Sequence, residues 1–272
     1  MAPPGHKLVV VDASQIEARM LAWLAGCDEL TAAFAAGRDV YCEFGAKVFH
    51  RTITKADNEE RFASKTGVLG LGYGTGWRKL QWAFLTSPYY NGDAPDEFCQ
   101  NIVDTYRNGY PEIPAVWRKM DSAIQQMAGG GGLTIGPLQF CNKHVLLPSG
   151  LAIQYPQLHF QDDEEWSERG YRYWDSRFKS WKKLYGASLV ENVCQGLTRI
   201  IITDAMIEMR MKDPDYFCAL QCHDELVYVV PDAKAQQCYD DLMVAMCRRP
   251  AWAPGLPLAA EGGIGTRYGE IK

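Results

Sequence analysis

The chain has 272 residues, is 47% hydrophobic and carries a formal net charge of −5. That length buries a substantial core in one domain or two, and that hydrophobic content excludes a disordered chain. No run of 18 apolar residues occurs, and Met1-Ala2-Pro3-Pro4-Gly5-His6 lacks a signal-peptide pattern, so neither a membrane span nor secretion is expected.

The first element is Leu8-Val9-Val10-Val11, a β-branched apolar run that reads as a strand ended by Asp12. A helix start follows at Ser14-Gln15-Ile16-Glu17, where Ser14 and Glu17 have the spacing of a capping box. Arg61, Lys65, Leu69 and Tyr73 recur every fourth residue, so on a helix they form one stripe. Gly67, Gly70, Gly72, Gly74 and Gly76 crowd the same stretch. Each interior glycine costs roughly 1 kcal/mol relative to Ala, so this helix should be soft or end early. Tyr89 to Pro95 reads as a loop, and Gly129 to Gly132 as a flexible break. Leu133 to Tyr155 has room for short strands around Pro148-Ser149-Gly150. Ser188 to Lys212 is apolar at helical spacing and should form a long, buried helix. Then come two apolar runs, Phe217 to Leu220 and Leu226 to Val230, joined by the polar step Gln221-Cys222-His223-Asp224-Glu225, a hairpin pattern. Strand signals thus gather at the two ends of the chain, with a mostly helical middle.

Asp12 and Asp224 each stand at a strand end, and no Lys or Arg is next to Asp224 and Glu225 in sequence. Like charges this close call for a neutralising cation. If both strands share a sheet, the carboxylates can share divalent metals, since Mg²⁺ uses one or two protein carboxylates plus substrate phosphates. The bland alternative for either Asp is a turn former. The 61/65/69/73 stripe runs from two cations through an aliphatic side chain to a ring. A nucleoside triphosphate has the same polarity, phosphates at one end and a flat base at the other. A solvated basic face running into a core face is the competing reading. The glycines fit neither a phosphate-binding G-x-x-x-x-G-K-[ST] loop nor G-x-G-x-x-G. Nine cysteines, an odd number without a C-x-x-C pair, favour reduced thiols over a disulfide frame, and Cys218, Cys222 and His223 lack a fourth zinc ligand at the usual spacing. The negative net charge is awkward for a duplex binder. Three local clusters offset it: Trp77-Arg78-Lys79, Trp117-Arg118-Lys119 and Arg177 to Lys183 mix cations with rings. That mix suits base stacking with backbone contact, or an ordinary solvated helix surface.

Asp12-Ala13-Ser14-Gln15-Ile16-Glu17-Ala18-Arg19 resembles motif A of the family A DNA polymerases, D-Y-S-Q-I-E-x-R. Arg61 to Lys65 and on to Tyr73-Gly74 resembles motif B, R-x3-K-x7-Y-G, and His223-Asp224-Glu225 resembles motif C. The order is the family's, and Tyr185 to Gln195 is similar to a segment of its phage members. Leu69 departs from the family's usual ring, Val68 from its Asn, and Tyr41 from its His.

The resemblance implies an α+β fold: a polymerase palm of antiparallel sheet with helices, over residues 1–40 and 185–272, and a largely helical fingers insertion over 41–184. The family's thumb and exonuclease elements lie N-terminal to motif A, so none is expected here, and the chain reads as a split subunit, a fragment or a reduced enzyme. It further implies templated DNA synthesis by two-metal nucleotidyl transfer. Asp12 and Asp224 would hold two Mg²⁺ ions, with Glu225 as an auxiliary acid. Glu17 would exclude a ribose 2′-hydroxyl. Arg61, Lys65, Leu69 and Tyr73 would meet the incoming deoxynucleoside triphosphate, and Gly74, Gln195 and His223 the primer–template DNA. A split polymerase adds a partner, a separate chain with the N-terminal elements. The implied location is the cytoplasm of a bacterium or phage-infected host. A two-metal nuclease and a non-catalytic nucleic-acid-binding remnant stay open beside the polymerase.

Overall fold

The computed structural model describes residues 1–162 and 169–271. In chain order, β1 (His6–Ala13) leads into α1 (Ile16–Ala25), α2 (Asp28–Ala35), α3 (Val40–Phe49) and α4 (Asn58–Leu71). Three more helices follow, α5 (Trp77–Leu85), α6 (Asp96–Gly109) and α7 (Glu112–Ala128). The chain then turns to strand: β2 (Gly131–Ile135), β3 (Leu138–Cys141), β4 (His144–Leu146), β5 (Ala152–Gln154), β6 (His159–Gln161), β7 (Gly170–Asp175) and β8 (Ser180–Leu184). The long α8 (Gly186–Lys212) precedes β9 (Phe217–Cys222), β10 (Glu225–Pro231), α9 (Ala235–Met246) and β11 (Ala260–Gly265). The chain divides into two compact units, one of residues 1–20 with 195–272 and one of residues 21–194. No helix among the described residues is long and apolar enough to cross a membrane.

The first unit is built on an antiparallel sheet in the order β11-β1-β10-β9. The expected strand at Leu8–Val11 and the late hairpin are both present. His223 and Asp224 form the two-residue turn between β9 and β10, and His223 takes the left-handed backbone (φ 55) that such a tight loop requires. Because strand side chains alternate, the register sorts the sheet into two faces. Val9, Val11, Leu226, Tyr228 and Val230 are all buried on one face. On the other, Leu8, Val10 and Val227 make a core with Tyr268 and Ile271 packed against it. The long helix expected over Ser188–Lys212 is α8. Its end is tied down by Asp241 of α9, which accepts hydrogen bonds from Lys212 (2.6 Å), Tyr216 (2.9 Å) and Gln237 (2.8 Å).

The second unit is helical through α7. Its core includes Phe44, Tyr106 and Tyr110, with ring centroids 5.6 and 5.2 Å apart for the Phe44–Tyr106 and Tyr106–Tyr110 pairs. Two sheets follow, β2-β3-β4-β5 and β6-β7-β8. Here the expectation needs correction. The short strands expected over residues 133–155 are present as β2 to β5, but β6, β7 and β8 lie where the pattern promised mostly helix. The Arg177–Lys183 cluster is a turn and strand, not the surface of a helix. Gly131 and Gly132 belong to β2, so the four-glycine break is shorter than expected.

Gly262 in β11 marks the tightest approach in the first sheet. A Cβ there would lie 2.0 Å from the Val10 carbonyl oxygen and 2.8 Å from the Val11 Cα, so backbone would have to move. Gly262→Ala should therefore lower stability by about 1–3 kcal/mol, the usual range for overpacking. Equilibrium urea unfolding of the variant checks this, and an unchanged midpoint would mean that β11 does not hug β1.

Candidate active site

The carboxylates come together through strand register. Asp12 pairs across β1 with Glu225 of β10 on one side and Glu261 of β11 on the other. Directly opposed residues share a face, so three acids stand in a row, with Asp12 in the middle. They border one concavity with Val10, Gly262 and Ile271. Glu225 is buried, and its Oε1 accepts a 2.5 Å hydrogen bond from the Tyr268 hydroxyl. Asp224 sits in the hairpin turn. Its carbonyl oxygen accepts the Ala13 N–H at 3.1 Å, which fastens the end of β1 to the turn.

Asp224 itself faces a second cleft of about 570 Å³, shared with Glu17, Gln195, Thr198, Arg199, Ile202 and His223. So Glu17, Gln195, His223 and Asp224, far apart in sequence, line one space, while Asp12 and Glu225 border another. Glu17 is the second residue of α1. Gln15 before it is left-handed (φ 48), and Ser14 is placed ahead of the helix with its N–H on the Ala259 carbonyl. The expected capping box is therefore displaced: Ser14 is two residues before the first helical residue. Among the described residues no group of three or more His, Cys, Asp or Glu side chains is arranged as a metal site. Two carboxylates at adjoining strand ends still suit Mg²⁺, which takes most of its ligands from water and substrate phosphates.

The motif B residues belong to the second unit. Arg61, Lys65 and Leu69 lie on α4, and Lys65 and Leu69 are exposed. The helix ends at Leu71, so Tyr73 and Gly74 fall beyond it, and the stripe is a helical face for its first three members only. Leu69, Tyr73 and Gly74 line a concavity with Thr66, Lys79 and Tyr185. Gly74 is left-handed (φ 80), and a Cβ on it would stand 2.7 Å from the Ala187 Cβ, a demand of the chain's own packing. Arg61 is not a bare cation. Its Nε and Nη2 donate to Asp39 Oδ2 at 3.2 and 3.0 Å, and its guanidinium lies 5.7 Å from the ring centroid of buried Tyr41.

Asp39 is a residue that sequence reasoning missed. It caps α3 by accepting the Tyr41 and Cys42 N–H groups, both at 3.1 Å. Its signal was present, an Asp directly before an apolar helix start. Burial alone would raise its carboxyl pKa, but the Cys42 N–H and the Arg61 guanidinium outweigh that and hold it below the ordinary value. Glu261 and Tyr268 were also missed. Glu261 sits in Ala260-Glu261-Gly262-Gly263, too glycine-rich to read as a strand.

Residues 1–131 match the sequence profile of DNA polymerase family A. The DNA polymerase of Bacillus phage SP02 is 29% identical over 97% of this chain and 41% of its own length. The thermostable DNA polymerase I of Thermus filiformis is 26% identical over the whole of this chain and 28% of its own. Among solved structures, the POL domain of Pol1 from M. smegmatis, in complex with DNA primer–template and dNTP, aligns with a TM-score of 0.68 and 20% identity. That alignment takes in 97% of this chain and 40% of that one. The fold is that of a polymerase domain, mixed helix and antiparallel sheet. The chain is related to the family A DNA polymerases, and it spans less than half the length of these relatives.

The Asp39 arrangement separates its two duties. Asp39→Ala removes the α3 cap and the Arg61 partner and should cost about 1–2 kcal/mol. Asp39→Asn keeps a capping oxygen and should be the more stable of the two variants. Because folding lowers the Asp39 pKa, its charge-dependent contribution is full above the ordinary Asp value of ~3.9 and fades as pH falls through the lower folded value. Thermal melts from pH 7 to pH 2 check this: the gap between wild type and Asp39→Asn should close at the acid end, and a gap that widens there would reverse the sign.

Proposed function

We propose that this chain carries out template-directed transfer of deoxynucleotides to a primer 3′-hydroxyl. The observation that carries the reading is the register of β1 with β10, which sets Asp12 beside Glu225 while the Ala13 N–H binds the Asp224 carbonyl. In this reading the palm is residues 1–40 and 185–272, and the fingers are 41–184. Asp12 and Asp224, which border two different concavities, would hold divalent metal, and Glu225, fixed by Tyr268, would serve as the auxiliary acid. Two bound Mg²⁺ ions would supply a lowered pKa at the primer hydroxyl and neutralisation of the triphosphate and leaving pyrophosphate. The new bond joins the primer 3′-oxygen to the α-phosphorus, the bond to pyrophosphate breaks, and the hydroxyl proton is lost to solvent.

The remaining roles follow the motif positions. Arg61, aimed by Asp39, and exposed Lys65 bind the triphosphate as fork and point charge. Leu69 and Tyr73 border the nucleotide, and Gly74 the template base. Gln195 and His223, which share a cleft with Asp224, contact the minor groove and the primer terminus. Glu17, in the same cleft, blocks the 2′-hydroxyl of a ribonucleotide.

Primer extension with Mg²⁺ and deoxynucleotides, run beside degradation of the same labelled strand, tests the assignment. Extension supports it, degradation alone would make the chain a nuclease, and neither would leave a binding remnant. Asp12→Ala and Asp224→Ala should each lower nucleotide addition by about 10³-fold or more, in line with the several kcal/mol of charge stabilisation a metal supplies. Near wild-type extension by either variant would remove the two-carboxylate reading.

Glu17→Ala should raise the ratio of ribonucleotide to deoxynucleotide incorporation, because a side chain that selects by clash loses selectivity when shortened. Competition between the two substrates measures it. An unchanged ratio would leave Glu17 as an acid in the first turn of α1, where it favours the helix dipole.

A further inference from the structure

The β6-β7-β8 sheet has a face that no role above uses. In its antiparallel register His159 lies opposite Arg172, Arg172 opposite Lys183, and Trp174 opposite Trp181. Alternation puts these five side chains on one face. The other face carries Tyr173, whose ring meets buried Tyr155 edge-on at 5.1 Å, and buried Leu184, so that side is the one turned to the protein. On the first face the His159 and Trp181 rings meet edge-on at 5.0 Å, and Trp174 and Trp181 at 5.5 Å. Trp181 is 42% exposed, and His159 and Lys183 are exposed.

The charge of the segment runs against that of the whole chain. Residues 170–184 hold five Lys and Arg against one Asp, in a protein of net charge −5. Asp175 is already committed, to Lys182 at 2.8 Å and to the backbone N–H groups of Arg177 and Phe178 in the turn. Arg177 and Lys182 both lie over the Phe178 ring, with Lys182 Nζ 3.9 Å from its centroid. The described acid at the other end of β7, Asp162, is paired with Arg169 at 3.3 Å. Cations screened over about 10 Å act locally, so the overall charge does not cancel this face.

We propose that this face binds single-stranded nucleic acid, the bases on Trp181 and His159 and the phosphates on Arg172 and Lys183. On the polymerase reading, which this identification of the strand rests on, the occupant is unpaired template. Two features choose nucleic acid over a protein partner. Rings packed edge-on to one another across a sheet, with cations at their flanks, supply stacking and backbone contact together. A protein interface core is depleted in charge, and here Lys183 and Arg172 stand among the rings.

The test is equilibrium binding of the full chain to a fluorescein-labelled dT12 strand, by anisotropy at two salt concentrations. Trp181→Ala should weaken binding about 5- to 100-fold, the loss of one stacked base, while Trp181→Phe, which keeps a ring, should retain most of the affinity. Lys183→Gln should reduce the slope of log affinity against log salt by about 0.7, one phosphate contact. The assay contains neither Mg²⁺ nor nucleotide, so binding by this face and catalysis read out separately. If Trp181→Ala and Lys183→Gln, folded by circular dichroism, bind dT12 as wild type does, the face is not a nucleic-acid surface. If Trp181→Ala instead turns a dimer into a monomer in sedimentation, the face belongs to a second copy and the proposal fails.

Discussion

Everything in the first unit that concerns chemistry depends on the pairing of β1 with β10. A strand has period two, so a slip of one residue would turn Asp12 to the opposite face, among Val9 and Val11. Two devices hold the register. His223, in the left-handed region, closes β9 onto β10 with a two-residue loop, and the Ala13 N–H takes the Asp224 carbonyl at the far end of β1. Gly262 adds a third constraint by letting β11 approach the Val10 backbone without a side chain between. The row Glu261, Asp12, Glu225 is the result. Three like charges on neighbouring strands repel. The Tyr268 hydroxyl at Glu225 eases that in part, and a divalent cation would ease it further.

In the second unit the corresponding constraint is the Asp39–Arg61 pair. Asp39 is fixed by its capping bonds to α3, so it can in turn fix a guanidinium on α4 over the Tyr41 ring. A long flexible cation thereby becomes a directed one, with less rotamer freedom to lose when an anion arrives. Lys65, one turn further on, is exposed and has no such brace among the described contacts, which suits a point charge more than a fork.

The elements legible from sequence were those with strong local signals. β1, the β9–β10 hairpin and α8 each have an unbroken apolar period and lie close to their expected bounds. β11 was illegible because Gly262, Gly263 and Gly265 remove the side chains that make a strand recognisable, and those glycines are there for close packing. The three strands β6, β7 and β8 are three, six and five residues long, too short for a period to stand out. Their lysines and arginines also read as helix surface. The 61/65/69/73 stripe was half legible. Its spacing is helical, but the glycines stop α4 at Leu71, and Tyr73 reaches its concavity from a turn. For the site residues, order along the chain carried the assignment, while the partners Asp39, Glu261 and Tyr268 became visible only through tertiary contact.

Net charge was the weakest guide. A value of −5 argues against a nucleic-acid binder only if charge is spread evenly, and it is not. Of the cations, Arg51, Lys234 and Arg248 are each paired to acids on the protein's own surface. Those pairs add little stability and leave little field beyond a Debye length. Lys183 and Lys65 are exposed on faces that also carry Trp181 and Leu69, apolar surface that a flat base can cover. What an approaching polyanion meets is therefore set by where exposed cations coincide with exposed rings and aliphatic surface, and the sum over the chain hides that coincidence.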